Sequence, residues 1–202
     1  MFGERFARHA GSSYRRHGLD KAAQRMVDWL TRQGIEGRSV LEIGGGIGQI
    51  QLELLRRGAA HATNIELSSA YDTVAASLID EAGMSGRVDR RLGDLAVDAS
   101  LAEVADVVVL HRVVCCYPDL EALLGAAAEH AREAVVLTHP PRNALSRAAL
   151  VVSNAGLAVL GREYRTFAHP PETMIAVLGE HGFQARHEPG GYVWRVLSAT
   201  RR

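Results

Sequence analysis

The sequence predicts a doubly wound α/β sheet that closes on an antiparallel hairpin at its C-terminal end. Three observations carry this. Short apolar runs alternate with stretches of helical periodicity along most of the chain. A glycine cluster, GGGIG at 44–48, directly follows the first apolar run. Gly190-Gly191 separates two late strand-like runs, which is a hairpin signal.

Residues 19–34, LDKAAQRMVDWLTRQG, place Ala22, Met26, Trp29 and Leu30 at helical spacing and stop at Gly34. RSVLEI at 38–43 reads as the first strand, and IGQIQLELLRRG at 47–58 as the helix after it. HATNIEL at 61–67 is the second strand. The helix at 68–83 starts on Ser68 or Ser69 and stops near Gly83. RVDRRL at 87–92 is a third strand, followed by a turn and short helix over 93–104. ADVVVLH at 105–111 is β-branched, uninterrupted and apolar on both faces, as in the middle of a covered parallel sheet. A helix at 118–132 has Pro118 near its first turn, and EAVVLTH at 133–139 is the fifth strand. A last helix, 170–182, precedes the runs at 183–189 and 192–200 that flank the Gly-Gly pair. Segment 142–168 is extra to this pattern, with a lid, a dimer surface or simple packing as its expected roles.

Composition bounds the function. A chain of 202 residues suits one domain with a sizeable core, and 47% hydrophobic against 23% charged residues excludes a disordered chain. Zero formal net charge gives no overall attraction to nucleic acid or an anionic membrane. Arg5, Arg8, Arg15, Arg16, Lys21 and Arg25 cluster near the N-terminus, as a solvated arm or an anion-binding one. No signal-like apolar region opens the chain. The run at 148–161, broken by Ser153 and Asn154, is shorter than the ~20 residues of a membrane span. The two cysteines, Cys115 and Cys116, are adjacent and offer no disulfide framework, which suits a reducing cytoplasm. With His111 and His139 they still lack the separated knuckles of structural zinc, so no metal is expected. Lys21 is the only lysine beside many arginines, a bias expected of a GC-rich bacterial genome. A monomer or homodimer is expected.

In open α/β sheets ligands bind at the carboxyl ends of the strands, where glycines let a ligand touch backbone. The dinucleotide pattern G-x-G-x-x-G fails here, because Gln49 or Gln51 stands at its third position. The phosphate loop G-x-x-x-x-G-K-[ST] is absent as well. The spacing that fits is E-x-G-x-G-x-G: Glu42, Gly44, Gly46 and Gly48.

On this motif, together with Glu66 in NIELS and Asp94 in LGDL, the chain resembles the class I S-adenosylmethionine (SAM)-dependent methyltransferases over roughly residues 14–200. The resemblance implies a Rossmann-like, seven-stranded sheet ending in an antiparallel hairpin, which matches the order read above. It implies SAM as cofactor, with Glu42 and Gly44, Gly45 and Gly46 at its methionine end. Glu66 would lie on the ribose hydroxyls beside Leu67, and Asp94 with Leu95 at the adenine. Residues 1–36 would form an arm and helix covering the active site, and 37–202 the SAM-binding core with 142–168 inserted.

The stretch HRVVCCYPD at 111–119 lacks the Asp/Asn-Pro-Pro-aromatic pattern of nitrogen methylation, which points to a small-molecule acceptor, methylated at a hydroxyl or carboxylate oxygen. It is more closely similar to the magnesium-protoporphyrin O-methyltransferases, whose stretch ends His-Tyr-Pro and whose arm carries a tyrosine. Tyr14 and Tyr117-Pro118 match; Cys116 replaces the histidine. Tyr14, His111 and Tyr117 are the candidate catalytic residues, with Tyr14 and His111 also facing the cofactor. His139 is a further candidate base, and an arm arginine a candidate anion holder. The alternatives are a non-methylating SAM enzyme of this fold, a SAM sensor, and an NAD(P)-dependent oxidoreductase.

Overall fold

The structure, a computed structural model, describes residues 3–141 and 166–202. Most of the 142–168 segment therefore lies outside the described residues. Helices α1 (Glu4–His17) and α2 (Lys21–Arg32) precede β1 (Ser39–Ile43), α3 (Gln49–Arg56), β2 (His61–Glu66), α4 (Asp72–Glu81) and β3 (Val88–Leu92). Then come β4 (Ala105–Leu110), α5 (Leu120–Glu129), β5 (Ala131–His139), α6 (Pro171–Glu180), β6 (Phe183–His187) and β7 (Arg195–Arg201). The strands form one seven-stranded sheet in the order β3-β2-β1-β4-β5-β7-β6. The first five are parallel; β7 runs antiparallel to both β5 and β6. This is the predicted doubly wound sheet with its terminal hairpin.

Alternation along each strand divides the core between the two faces. Val107 and Val109 of β4 point into a cluster with Val40, Met26, Trp29, Leu30 and the inner faces of α1 to α4. Val108 and Leu110 point the other way, with Leu41, Ile43 and the apolar sides of α5 and α6. Glu42 alternates with Leu41 and Ile43, so it faces α3. The sequence reverses its winding between β1 and β4, and a crevice at their carboxyl ends results.

Four local expectations change. The N-terminal arm is a helix, α1, with Ala7, Gly11 and Tyr14 buried; at Gly11 a Cβ would lie 3.4 Å from Arg15 and closer still to Val74. A solvated arm therefore gives way to a packed one, and α1 and α2 share the sheet's own core. Over 93–104 only a 3-10 turn at Ala99–Leu101 forms. β5 begins at Ala131 rather than after 132, because His130 ends α5 by bonding the Ala126 and Ala99 carbonyls. The hairpin connection spans 188–194 instead of two glycines, and Arg25 donates to the Trp194 carbonyl within it at 2.7 Å.

Candidate functional site

β1 ends at Ile43, and the chain then turns through Gly44, Gly46 and Gly48 with φ of +65°, +55° and +77°. Only glycine takes such angles without strain. Packing from within the protein fills much of the space that the missing side chains leave. A Cβ on Gly44 would come 2.6 Å from Val113 Cγ2, and one on Gly45 would lie 2.9 Å from Glu42 Cδ and collide with the Asn64 amide. On Gly46 the nearest neighbour is the Tyr71 ring at an ordinary 3.6 Å.

The loop is held from below and from the side. Buried Glu42 accepts from the Gln51 amide N–H at 3.2 Å, and burial pushes its carboxyl up to about 8. Asn64 donates to Gln51 Oε1. Arg90 of β3 donates to Asn64 Oδ1 at 2.9 Å and to the Gly46 carbonyl at 2.8 Å, while its Nε bonds Asp72. Glu66, at the end of β2, accepts from Gly46 N and Ser68 N, each at 2.9 Å. A carboxylate has about four lone-pair positions, so two remain.

Beside this loop lies a cavity of about 420 Å³. Gly44, Gly45, Gly46, Glu66 and Leu67 form one side. His111, Arg112, Val113, Cys115, Cys116 and Tyr117, which follow β4, form the other, and Phe6 and Ala10 of α1 with Trp194 close over it. Most of the lining is apolar, as small-molecule sites are.

The far side is tied to distant elements. Asp20 caps α2 through Oδ1, which accepts from the N–H groups of Ala22 and Ala23. Its Oδ2 meets His111 Nε2 at 3.2 Å and Arg112 Nη2 at 3.0 Å. Burial opposes charge on Asp20, but the His111 bond and charge, the Ala23 N–H and Arg112 together hold its carboxyl well below the usual range. His111 Nδ1 lies 3.1 Å from Thr138 Oγ1, so both ring nitrogens have protein partners. Arg112 holds φ of +59°, a costly angle for a long side chain; its N–H donates to Thr138 Oγ1, and its guanidinium stacks 5.0 Å from the Trp194 ring. Tyr117 donates to Asp94 Oδ2 at 2.9 Å, and burial together with Asp94 pushes its hydroxyl up to about 12.

The remaining candidates stand elsewhere. Tyr14 is not among the lining residues; its hydroxyl donates to Glu53 and accepts from Arg56, each at 2.8 Å. Glu42 sits beneath the loop, and Leu95 is buried in the core on the α5 side. His139 is buried, bonding the Pro140 carbonyl and His187. The arm arginines face outward: Arg8 pairs with Glu4, Arg15 with Glu81, and Arg16 with the Ser12 carbonyl. Among the described residues no group of three or more His, Cys, Asp or Glu could hold a metal ion. No described helix is long and apolar enough to cross a membrane. Sequence reasoning missed Arg90, Asn64 and Gln51 under the loop, and Asp20, Arg112, Thr138 and Trp194 beyond it. Nothing in the sequence joins Asp20 to His111, which lies 91 residues away.

A family model described as "Methyltransferase domain" matches residues 12–188. The chain belongs to this methyltransferase family. Among solved structures, the methyltransferase domain is similar to magnesium protoporphyrin IX methyltransferase from Synechocystis PCC 6803 with bound S-adenosylhomocysteine (SAH). The TM-score is 0.71 at 21% identity, over 89% of this chain and 82% of that one. It is also similar to an O-methyltransferase family protein from Burkholderia thailandensis, with TM-score 0.74 and 20% identity over 98% of this chain and 60% of that one. Human N-acetylserotonin methyltransferase in complex with SAM matches at TM-score 0.67 and 16% identity, over 98% of this chain and 55% of the human one.

Proposed function

We propose that the protein transfers a methyl group from SAM to an oxygen of a small molecule. The observation that carries this reading is Glu66: a carboxylate at the end of β2, on the cavity wall, fixed by two backbone N–H groups and keeping two lone-pair positions for a ribose diol. Leu67 and Phe6 supply apolar surface for the adenine, and the glycine loop lies where the methionine end would run. Glu42 acts through the loop, as its support. Asp94 and Tyr117 act as a bonded pair at the adenine end.

SAM, when bound, supplies a methyl group already activated on a sulfonium. What the chain must add is alignment of the acceptor and exclusion of water, and positioning alone can be worth on the order of 7–11 kcal/mol. Val113, Trp194 and Phe6 exclude water. His111, with Nε2 on Asp20 and Nδ1 on Thr138, orients the wall after β4. Both ring nitrogens of His111 and the Tyr117 hydroxyl already have protein partners. This favours an acceptor that needs no base, a carboxylate, over a hydroxyl. The cavity's size and apolar lining support a small-molecule acceptor over nucleic acid.

The test uses methyl-labelled SAM with a small-molecule extract and, separately, RNA and protein. Label in small molecules, released by mild alkali as from an ester, is the expected result. Label in RNA or protein, or alkali-stable label on nitrogen, would overturn the reading.

A further inference from the structure

Cys115 and Cys116 have no part in the reading above, and neither is in a disulfide. Adjacent side chains ordinarily diverge. Here the positive φ of Arg112 and the 3-10 turn at Val114–Cys116 bring both sulfurs to one place, 3.6 and 3.5 Å from the Arg112 carbonyl oxygen. The sulfurs stand 3.4 Å apart, and both residues line the cavity.

We propose that this pair is a bidentate site for a trivalent, thiophilic centre of the arsenous or organoarsenous class. The bite selects the geometry. Two bonds to sulfur of roughly 2.3 Å that meet across the 3.4 Å gap enclose an angle of about 95°. A linear two-thiolate ion needs about 180° and a tetrahedral one about 109°, so both fit worse. A trivalent centre with a lone pair bonds through nearly orthogonal p orbitals and fits. Zinc is further disfavoured because the rings of His111 and His139 are held by other partners. No third protein ligand is present among the described residues, so the centre keeps one substituent of its own, which the largely apolar cavity accommodates. Each thiol sulfur replaces a bond from the centre to oxygen: with an arsine oxide the two thiol protons leave with its one oxygen as one water, with arsenous acid each proton leaves with a separate hydroxyl as its own water, and no electron changes hands. Cys116, the more exposed of the two, attacks first and Cys115 closes the ring.

The probe is phenylarsine oxide, added to the full chain under native conditions with intact-mass and thiol-titration readouts. One arsenical per chain that removes both thiols together is expected, reversed by dithiothreitol but not by an equal concentration of thiol groups as glutathione. Closing the second bond within one molecule should make binding at least ~100-fold tighter than in Cys115→Ser or Cys116→Ser. Two arsenicals per chain, a second thiol that stays titratable, reaction only after unfolding, or equal affinity in either serine variant would overturn the proposal. The wild-type stoichiometry decides the matter even if a variant fails to fold, and it does not depend on the cofactor reading.

Discussion

At the carboxyl ends of β1 and β2 the cavity wall is backbone and buried carboxylate, braced by Gln51, Asn64 and Arg90 packed directly beneath. At the carboxyl ends of β4 and β5 it is side chain, held by Asp20 from the start of α2 and by Trp194 from the connection before β7. The first side is a buried polar network, with Gln51 Nε2 and Arg90 Nη2 lacking partners among the described residues, around glycines set by positive φ or by close neighbours. The second is a set of long-range ties around one strained residue, Arg112. A fixed side suits a ligand common to the whole family, and a side assembled from distant segments suits whatever varies between its members.

The largest contrast should come from Glu42. Its carboxyl is raised from an ordinary 4.5 to about 8, so between those values the folded state holds a proton that the unfolded state has lost. Stability should therefore fall as pH rises through that window, by up to about 1.4 kcal/mol per unit. Urea unfolding at a series of pH values checks this: Glu42→Gln should flatten the profile, and an unchanged slope would place the polar network's energetics elsewhere. Asp20 has the opposite sign. Its depressed carboxyl contributes fully above an ordinary 3.8 and loses its contribution in stronger acid, outside the Glu42 window.

Gly45→Val should cost ~1–3 kcal/mol by overpacking against Asn64 and Glu42, and should remove SAH binding in calorimetry. Retained binding would mean the loop adapts, and the contrast between a fixed and a tied side would fail.

The fixed side was the legible one, for a physical reason. Glycines demanded by positive φ, and acids at strand ends, are local needs that leave a local pattern, so Gly44, Gly46 and Glu66 could be read directly. So could the sheet, because a fourth strand apolar on both faces and the helical stretches between most strands set its layers. The tied side depends on contacts such as Asp20 with His111, which the chain makes only once folded. Tyr14 lies outside the cavity lining for a related reason: helix α1 turns it onto Glu53 and Arg56, a partnership that the arm's composition did not announce.

Two smaller effects sharpen the tied side. Asp20→Ala should cost ~0.5–2 kcal/mol through the lost cap, whereas Asp20→Asn keeps the cap and loses only the charge on His111 and Arg112. Thermal unfolding should separate the two variants, while methyl transfer should fall in both. If Asn behaves like wild type in transfer, the Asp20 tie is structural alone. Tyr14→Phe should cost about 1 kcal/mol in urea unfolding and leave the SAH dissociation constant unchanged. A weakened SAH affinity would return Tyr14 to the site.

The central claim is that the loop and Glu66 together hold SAM. Thermal unfolding with SAM, SAH and NADH tests it most directly. Ligand at 100 times its dissociation constant stabilises by about 2.7 kcal/mol. For a chain of this size the midpoint should rise by roughly 5–11 °C. A rise with SAM and SAH, absent with NADH and lost in Glu66→Ala, is the predicted result. A rise with NADH alone, or an SAH shift that survives Glu66→Ala at full size, would contradict it.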